Sequence, residues 1–211
     1  VTWLLGRAMR PEAGAGRRRG LLILGLVFQL GLLVAVKYAG FFFGAFIDLP
    51  KLHLPLGVSF YTFHAISYLV DVYRQKTPPQ KNLLRLGLYL ALFPKLVMGP
   101  IVPYHELEPA LAQRTPSVQD VSDGCFRFTI GLAKKALCSS ISDFWRRWHI
   151  SLGSWFKEYL YFPLGGSRAG TLRTLRNLLL VWLATGLWHG ASWNYVLWGL
   201  YFGVLICLEK L

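Results

Sequence analysis

His189 stands in Gly186-Leu187-Trp188-His189-Gly190-Ala191-Ser192-Trp193, and no Asp, Glu, Lys or Arg occurs from Asn177 to Leu208 around it. Hydrocarbon solvates neither an imidazolium charge nor the hydrogen-bonding nitrogens of the neutral ring, so a histidine in such a run marks a candidate reactive centre. Burial disfavours the imidazolium form, and the neutral ring accepts a proton from a hydroxyl, the work of a general base. His149 is the second candidate, in a segment dense in Trp and Tyr beside Arg146 and Arg147. Two guanidinium groups there suit an acidic or phosphate-bearing ligand at a membrane surface.

The bland readings stand beside these. His189 also fits an interhelical hydrogen bond, and His149 a headgroup anchor. His64 reads as a polar packing residue, while His53 and His105 lie near loops. Two histidines without a neighbouring carboxylate or cysteine predict no metal site. Cys125, Cys138 and Cys207 are odd in number and lack CxxC spacing, which reads as small apolar filler. No phosphate loop, dinucleotide fingerprint or nucleophile elbow is present.

The elements that must position these groups follow from composition. Of 211 residues, 54% are hydrophobic and 16% charged, with net charge +13. So few charges cannot cover a soluble domain. They fall in clusters between apolar runs, the pattern of a multi-pass membrane protein and not of a nucleic-acid binder. The expected fold is all-α, a polytopic transmembrane helix bundle forming one membrane-embedded domain over 1–211. Spans are predicted at 21–46, 56–73, 86–104, 124–138, 177–189 and 191–208. Residues 1–20 read as a basic cytoplasmic loop, and 142–166 as an interfacial or re-entrant helix with Trp145, Trp148 and Trp155 at helical spacings. Arg168, Arg173 and Arg176 read as a further basic loop. With the N-terminus inside, most of the 23 basic residues share the cytoplasmic face, and only Lys51 and Arg114 lie opposite.

Within this scheme the 56–73 span turns Ser59, Thr62, His64, Ser67 and Asp71 toward protein, not lipid. The 86–104 span is broken at Pro94, Gly99-Pro100 and Pro103, with Lys95 at the break either lining a site or packing. Lys37 reads either as a snorkelling side chain near a helix end or as a residue with a functional role. From Asn177 to His189 is only ~20 Å of helix, short of a ~30 Å hydrocarbon core, which leaves His189 within membrane depth. Gly186-x-x-x-Gly190 and Gly199-x-x-x-Gly203 allow neighbouring helices to approach closely. The chain starts at Val1 without a cleavable signal and reads as an internal piece of something longer.

Several stretches together resemble the membrane-bound O-acyltransferases, in particular their bacterial alginate O-acetylation branch. They are Pro55 to Phe63, Ala65 to Arg74, Phe93-Pro94 with Met98 to Val102, Asp143 to Leu152, Trp155 to Gly166 and Gly186 to Ala191. The resemblance implies acyl transfer to a polysaccharide hydroxyl in the bacterial inner membrane. It places His189 at the family's essential histidine and His149 at a second family position, where other branches carry asparagine. Arg146, Arg147, Trp145 and Trp188 are then expected to bind substrate. The implied co-substrate is an acyl thioester, acetyl-CoA or an acyl carrier, with no bound cofactor. The implied partners are membrane lipid and a polysaccharide acceptor or periplasmic acetyltransferase proteins, with no nucleic acid.

Transfer of D-alanine or another acyl group to a cell-envelope polymer, and a non-catalytic scaffold or export subunit, are the competing readings. The chain departs from the family pattern in passing directly from Leu137 to Ser140, where the family has further membrane segments. Pro103 also replaces a basic residue and Lys95 a neutral polar one. An internally shortened member is therefore expected.

Overall fold

A computed structural model of the chain describes residues 1–44, 57–96, 99–112, 115–135, 143–144, 147–168 and 170–210. His53, Cys138, Trp145 and Arg146 lie outside them. Among the described residues every regular element is helical. In chain order these are α1 (Thr2–Ala8), α2 (Ala15–Phe43), α3 (Val58–Tyr73), α4 (Leu83–Ala91), α5 (Phe93–Leu96), α6 (Tyr104–Ala112) and α7 (Val118–Lys135). They continue with α8 (Ile150–Phe156), α9 (Thr171–His189) and α10 (Trp193–Lys210). Two π-helical turns interrupt this order: Val34–Tyr38 inside α2, and Lys157–Tyr161 directly after α8.

One helix among the described residues, α2, is both long and apolar enough by composition to cross a membrane. Its outward Leu24, Val27, Phe28 and Leu30 are exposed, as expected of side chains whose solvent is lipid. Packed against it lies α3, buried along nearly its whole length. Its polar residues do face protein, as the sequence predicts. Thr62 and Ser67 donate to the carbonyls of Val58 and Phe63 at 2.9 and 2.8 Å, so their hydroxyls add no unsatisfied group. Met9, Tyr68, Leu69, Val72, Leu86, Tyr89 and Tyr104 form one core around α3. Phe63, Ile66, Ile101, Leu152, Trp155 and Phe156 form a second, which joins α3 to α8.

The close pairing of α9 and α10 depends on glycine. A Cβ added to Gly186 would collide with the Tyr195 carbonyl oxygen, and one on Gly199 would lie 3.0 Å from the Gly186 Cα. Gly203 faces Trp182 in the same seam. Both glycine pairs read from the sequence therefore serve one helix–helix contact.

The expected break in the 86–104 stretch falls at Leu92, which is extended at φ −60° and ψ 114°, and among the described residues only the short α5 follows before Tyr104. Three expectations need correction. The helix expected over 124–138 begins earlier, as α7, because Ser117 and Asp120 form a reciprocal cap, and it lacks the apolar character of α2. The Ser117 N–H donates to Asp120 Oδ2 at 2.8 Å, and the Asp120 N–H returns to Ser117 Oγ at 3.1 Å. These Ser117 donors also hold the Asp120 carboxyl below its ordinary pKa. Arg173 and Arg176 lie in the first turns of α9, not in a loop, since nothing after Gly170 breaks the helix. Residues 1–20 likewise contain α1 and the first turn of α2.

Gly186→Ala and Gly199→Ala should each destabilise the α9–α10 hairpin by about 1–3 kcal/mol, since neither neighbouring backbone can yield. Gly20→Ala, with nothing within 4 Å of the new methyl group, should be neutral or slightly stabilising. Melting temperatures of the detergent-solubilised variants check the contrast.

Candidate active site

His189 is the last residue of α9, and the chain leaves the helix at once through an extended Gly190 (φ −172°, ψ 158°). The His189 Nδ1 lies 2.9 Å from the Thr185 carbonyl oxygen. A carbonyl oxygen only accepts, so Nδ1 carries the hydrogen, and the neutral ring keeps its lone pair on Nε2. That is the tautomer a base needs. Around the half-buried imidazole stand Trp188 at 4.6 Å between ring centroids, Trp198 at 4.9 Å and Tyr195 at 6.3 Å.

His149 meets it there. The two imidazole centroids are 5.8 Å apart with planes at 77°, and His149 is also 6.2 Å from the Trp188 ring. His149 has left-handed backbone angles (φ 48°, ψ 40°) and forms the N-cap of α8. A non-glycine residue in that region is strained, and such strain concentrates at functional positions. This turn also corrects the expected continuous 142–166 helix. An α-helix cannot run through a left-handed residue, so the exposed Trp148 and the buried Trp155 fall on separate segments.

α3 holds both histidine-bearing segments through one stripe of side chains. Phe60 packs edge-on to Trp188 at 5.8 Å. Phe63 stacks on Trp155 at 4.1 Å and lies parallel to Trp188 at 6.2 Å. One turn on, Ser67 accepts a 2.9 Å hydrogen bond from the Trp155 indole. A further turn on, Asp71, 0% exposed, accepts from the His105 backbone N–H at 3.1 Å, from His105 Nδ1 at 2.9 Å and from the Tyr159 hydroxyl at 2.8 Å. Burial, together with the Asp71 charge, pushes the Tyr159 hydroxyl well above its ordinary pKa. Neighbouring Glu158 pairs with Lys76 and with Arg74 at 3.7 Å.

Asp71, His105 and Glu158 offer ligand atoms all within 4.8 Å of one another. Protein donors already occupy both carboxylates, so the trio reads as a structural network. Sequence reasoning missed it, because the partners are far apart in the chain and only Asp71 stood on a recognisable face. Asn177 ties α9 to the preceding turn, donating to the carbonyls of Leu164 and Gly166 at 3.2 and 3.0 Å.

Other expected residues sit differently. The Arg147 fork is turned to Asp143, with Nε and Nη2 each 2.9 Å from a carboxylate oxygen. Lys95 is 4% exposed and lies 3.9 Å above the Tyr89 ring, with no hydrogen-bond partner for its ammonium among the described residues. His64, against the same ring at 5.3 Å, is buried with neither nitrogen bonded to a described residue. Lys37 does not snorkel. It donates to the Trp188 carbonyl and to Ser59 Oγ, the latter at 3.1 Å, while the Tyr38 hydroxyl donates to the Leu187 carbonyl.

Residues 132–211 match the model of the membrane-bound O-acyltransferase family. That match covers 80 of the 211 residues, fewer than half of the chain. The helical fold agrees with it, and the match points to a membrane protein. It is 32% identical to the probable alginate O-acetylase AlgI of Pseudomonas aeruginosa, over 90% of this chain and 51% of the relative. It is 34% identical to AlgI of Pseudomonas fluorescens (90% and 50%) and 29% identical to the peptidoglycan O-acetyltransferase of Helicobacter pylori (90% and 55%). The chain thus spans about half the length of the curated relatives it matches. The first alignment runs over 265 positions, more than the 211 residues here, so that relative carries internal sequence this chain lacks.

Asp71→Asn turns an amide N–H toward donors that now find an oxygen. It should cost roughly 1–3 kcal/mol and release the 157–161 turn, seen as faster limited proteolysis there than in the parent.

Proposed function

We propose that the protein is a multi-pass inner-membrane O-acyltransferase that moves an acyl group, acetyl by preference, from a thioester to a polysaccharide hydroxyl. The observation that carries this reading is the meeting of an exposed His149 and a half-buried His189 at 5.8 Å, with Trp188 and Trp198 beside His189. The names of the relatives, alginate O-acetylase and peptidoglycan O-acetyltransferase, suggest the acceptor class.

In this scheme the His189 Nε2 takes the proton of the acceptor hydroxyl as its oxygen attacks the thioester carbonyl. The new carbon–oxygen bond forms, the carbon–sulfur bond breaks, and the proton passes from His189 to the departing thiolate. No covalent acyl-enzyme is needed. His149 orients the acyl group and offers a donor to the developing oxyanion. Trp188 walls the acyl group. We assign Arg147, with Arg146 and Trp145, to recognition of an anionic donor such as acetyl-CoA or an acyl carrier. The polysaccharide, or a periplasmic transfer protein, takes the product.

Membranes carrying the chain, incubated with labelled acetyl-CoA or an acetyl-charged carrier and a polysaccharide, test the scheme. His189→Ala should reduce labelled ester at least about 100-fold, and His149→Ala should reduce it by a smaller factor. Equal labelling in parent and His189→Ala, or no labelling by the parent with either donor, refutes the assignment.

A further inference from the structure

A helix ends with four carbonyls that have lost their partners. The last turn of α9 is capped by its own sequence only weakly, through a 3.4 Å contact from the Gly190 N–H to the Gly186 carbonyl. The rest of its capping comes from α2, far away in the chain. Tyr38 donates to the Leu187 carbonyl and Lys37 to the Trp188 carbonyl, the two residues just before His189. Lys37 also donates to Ser59, so one ammonium ties α2, α3 and α9 together. Its charge complements the negative end of the α9 dipole. Leu33, Tyr38 and Val58 pack with Leu187 and Ala191 around this end and keep water from competing for the carbonyls. Both donors sit on the π-helical turn Val34–Tyr38, the kind of local rewinding that recurs at functional sites.

We propose that Lys37 and Tyr38 are positioning residues for His189. They fix the last turn of α9, and with it the Thr185 carbonyl that holds Nδ1 and aims Nε2. This rests on the reading of His189 as the base. Neither residue touches the substrate; each acts through the backbone.

Lys37→Met keeps the stem and removes the ammonium, and Tyr38→Phe removes only a hydroxyl. Per folded molecule, Lys37→Met should lower kcat roughly tenfold and Tyr38→Phe by a smaller factor, with KM for the acyl donor unchanged. Lys37→Arg should restore part of the loss. A residue needed only for folding would change the yield of protein and not kcat per folded molecule.

A second readout needs no turnover. Diethyl pyrocarbonate modification of His189, followed by mass spectrometry with His105 as internal reference, should quicken in Lys37→Met as the helix end frays. An unchanged His189-to-His105 ratio overturns the positioning role, whatever the transfer assay shows. If His189→Ala keeps full transfer, the base assignment falls instead, and the modification ratio alone decides whether Lys37 holds the helix end.

Discussion

Carbonyl oxygens at the end of a helix must find donors, and in apolar surroundings water does not supply them. The end of α9 meets that requirement with Tyr38, Lys37 and the Gly190 N–H. Much of the remaining architecture follows. α2 must run close to α9, its helix must rewind locally to present two adjacent donors, and α3 must lie between with Ser59 in reach. One turn back from that end, the hydrogen bond between the His189 Nδ1 and the Thr185 carbonyl selects the tautomer of the imidazole.

The other half of the site is held from α3. Phe60, Phe63, Ser67 and Asp71 recur at three- and four-residue intervals, so they form one stripe down the helix. The upper part of that stripe is aromatic and meets Trp188 and Trp155. The lower part is polar and meets the Trp155 indole and the Tyr159 hydroxyl. A second π-helical turn, Lys157–Tyr161, carries Glu158 and Tyr159 to their partners, as the first carries Lys37 and Tyr38. In both places a turn wound one residue too wide serves long-range hydrogen bonding that a regular helix would miss.

What the sequence shows of this is uneven, for physical reasons. The glycine pairs were legible because small residues at four-residue spacing have few other uses in an apolar helix. The inward polar face of α3 was legible because hydrocarbon excludes hydroxyls and carboxylates. The two histidines stood out by their surroundings, though nothing local to His149 required them to meet. Lys37 stayed between two readings because snorkelling and inward bonding leave the same trace in a sequence: one cation in an apolar run. The left-handed turn at His149 carries no glycine or asparagine to announce it, and the spacing of the tryptophans suggested unbroken helix. The start of α7 was readable after all, in Ser117-x-x-Asp120, but the apolar run beginning at Gly124 outweighed it.

The division of labour along the chain bears on what the family match covers. Residues 132–211 contain both histidines, Trp188 and both helices of the glycine-packed hairpin. Among the described residues, groups that brace the histidine-bearing segments come from earlier in the chain: Lys37 and Tyr38 on α2, Ser59, Phe60, Phe63, Ser67 and Asp71 on α3, and Ile101 beyond it. The histidine-bearing segments and the groups that brace them are thus drawn from both sides of position 132, and neither side makes this site alone. α3 reaches both segments directly, through the aromatic contacts of Phe60 and Phe63.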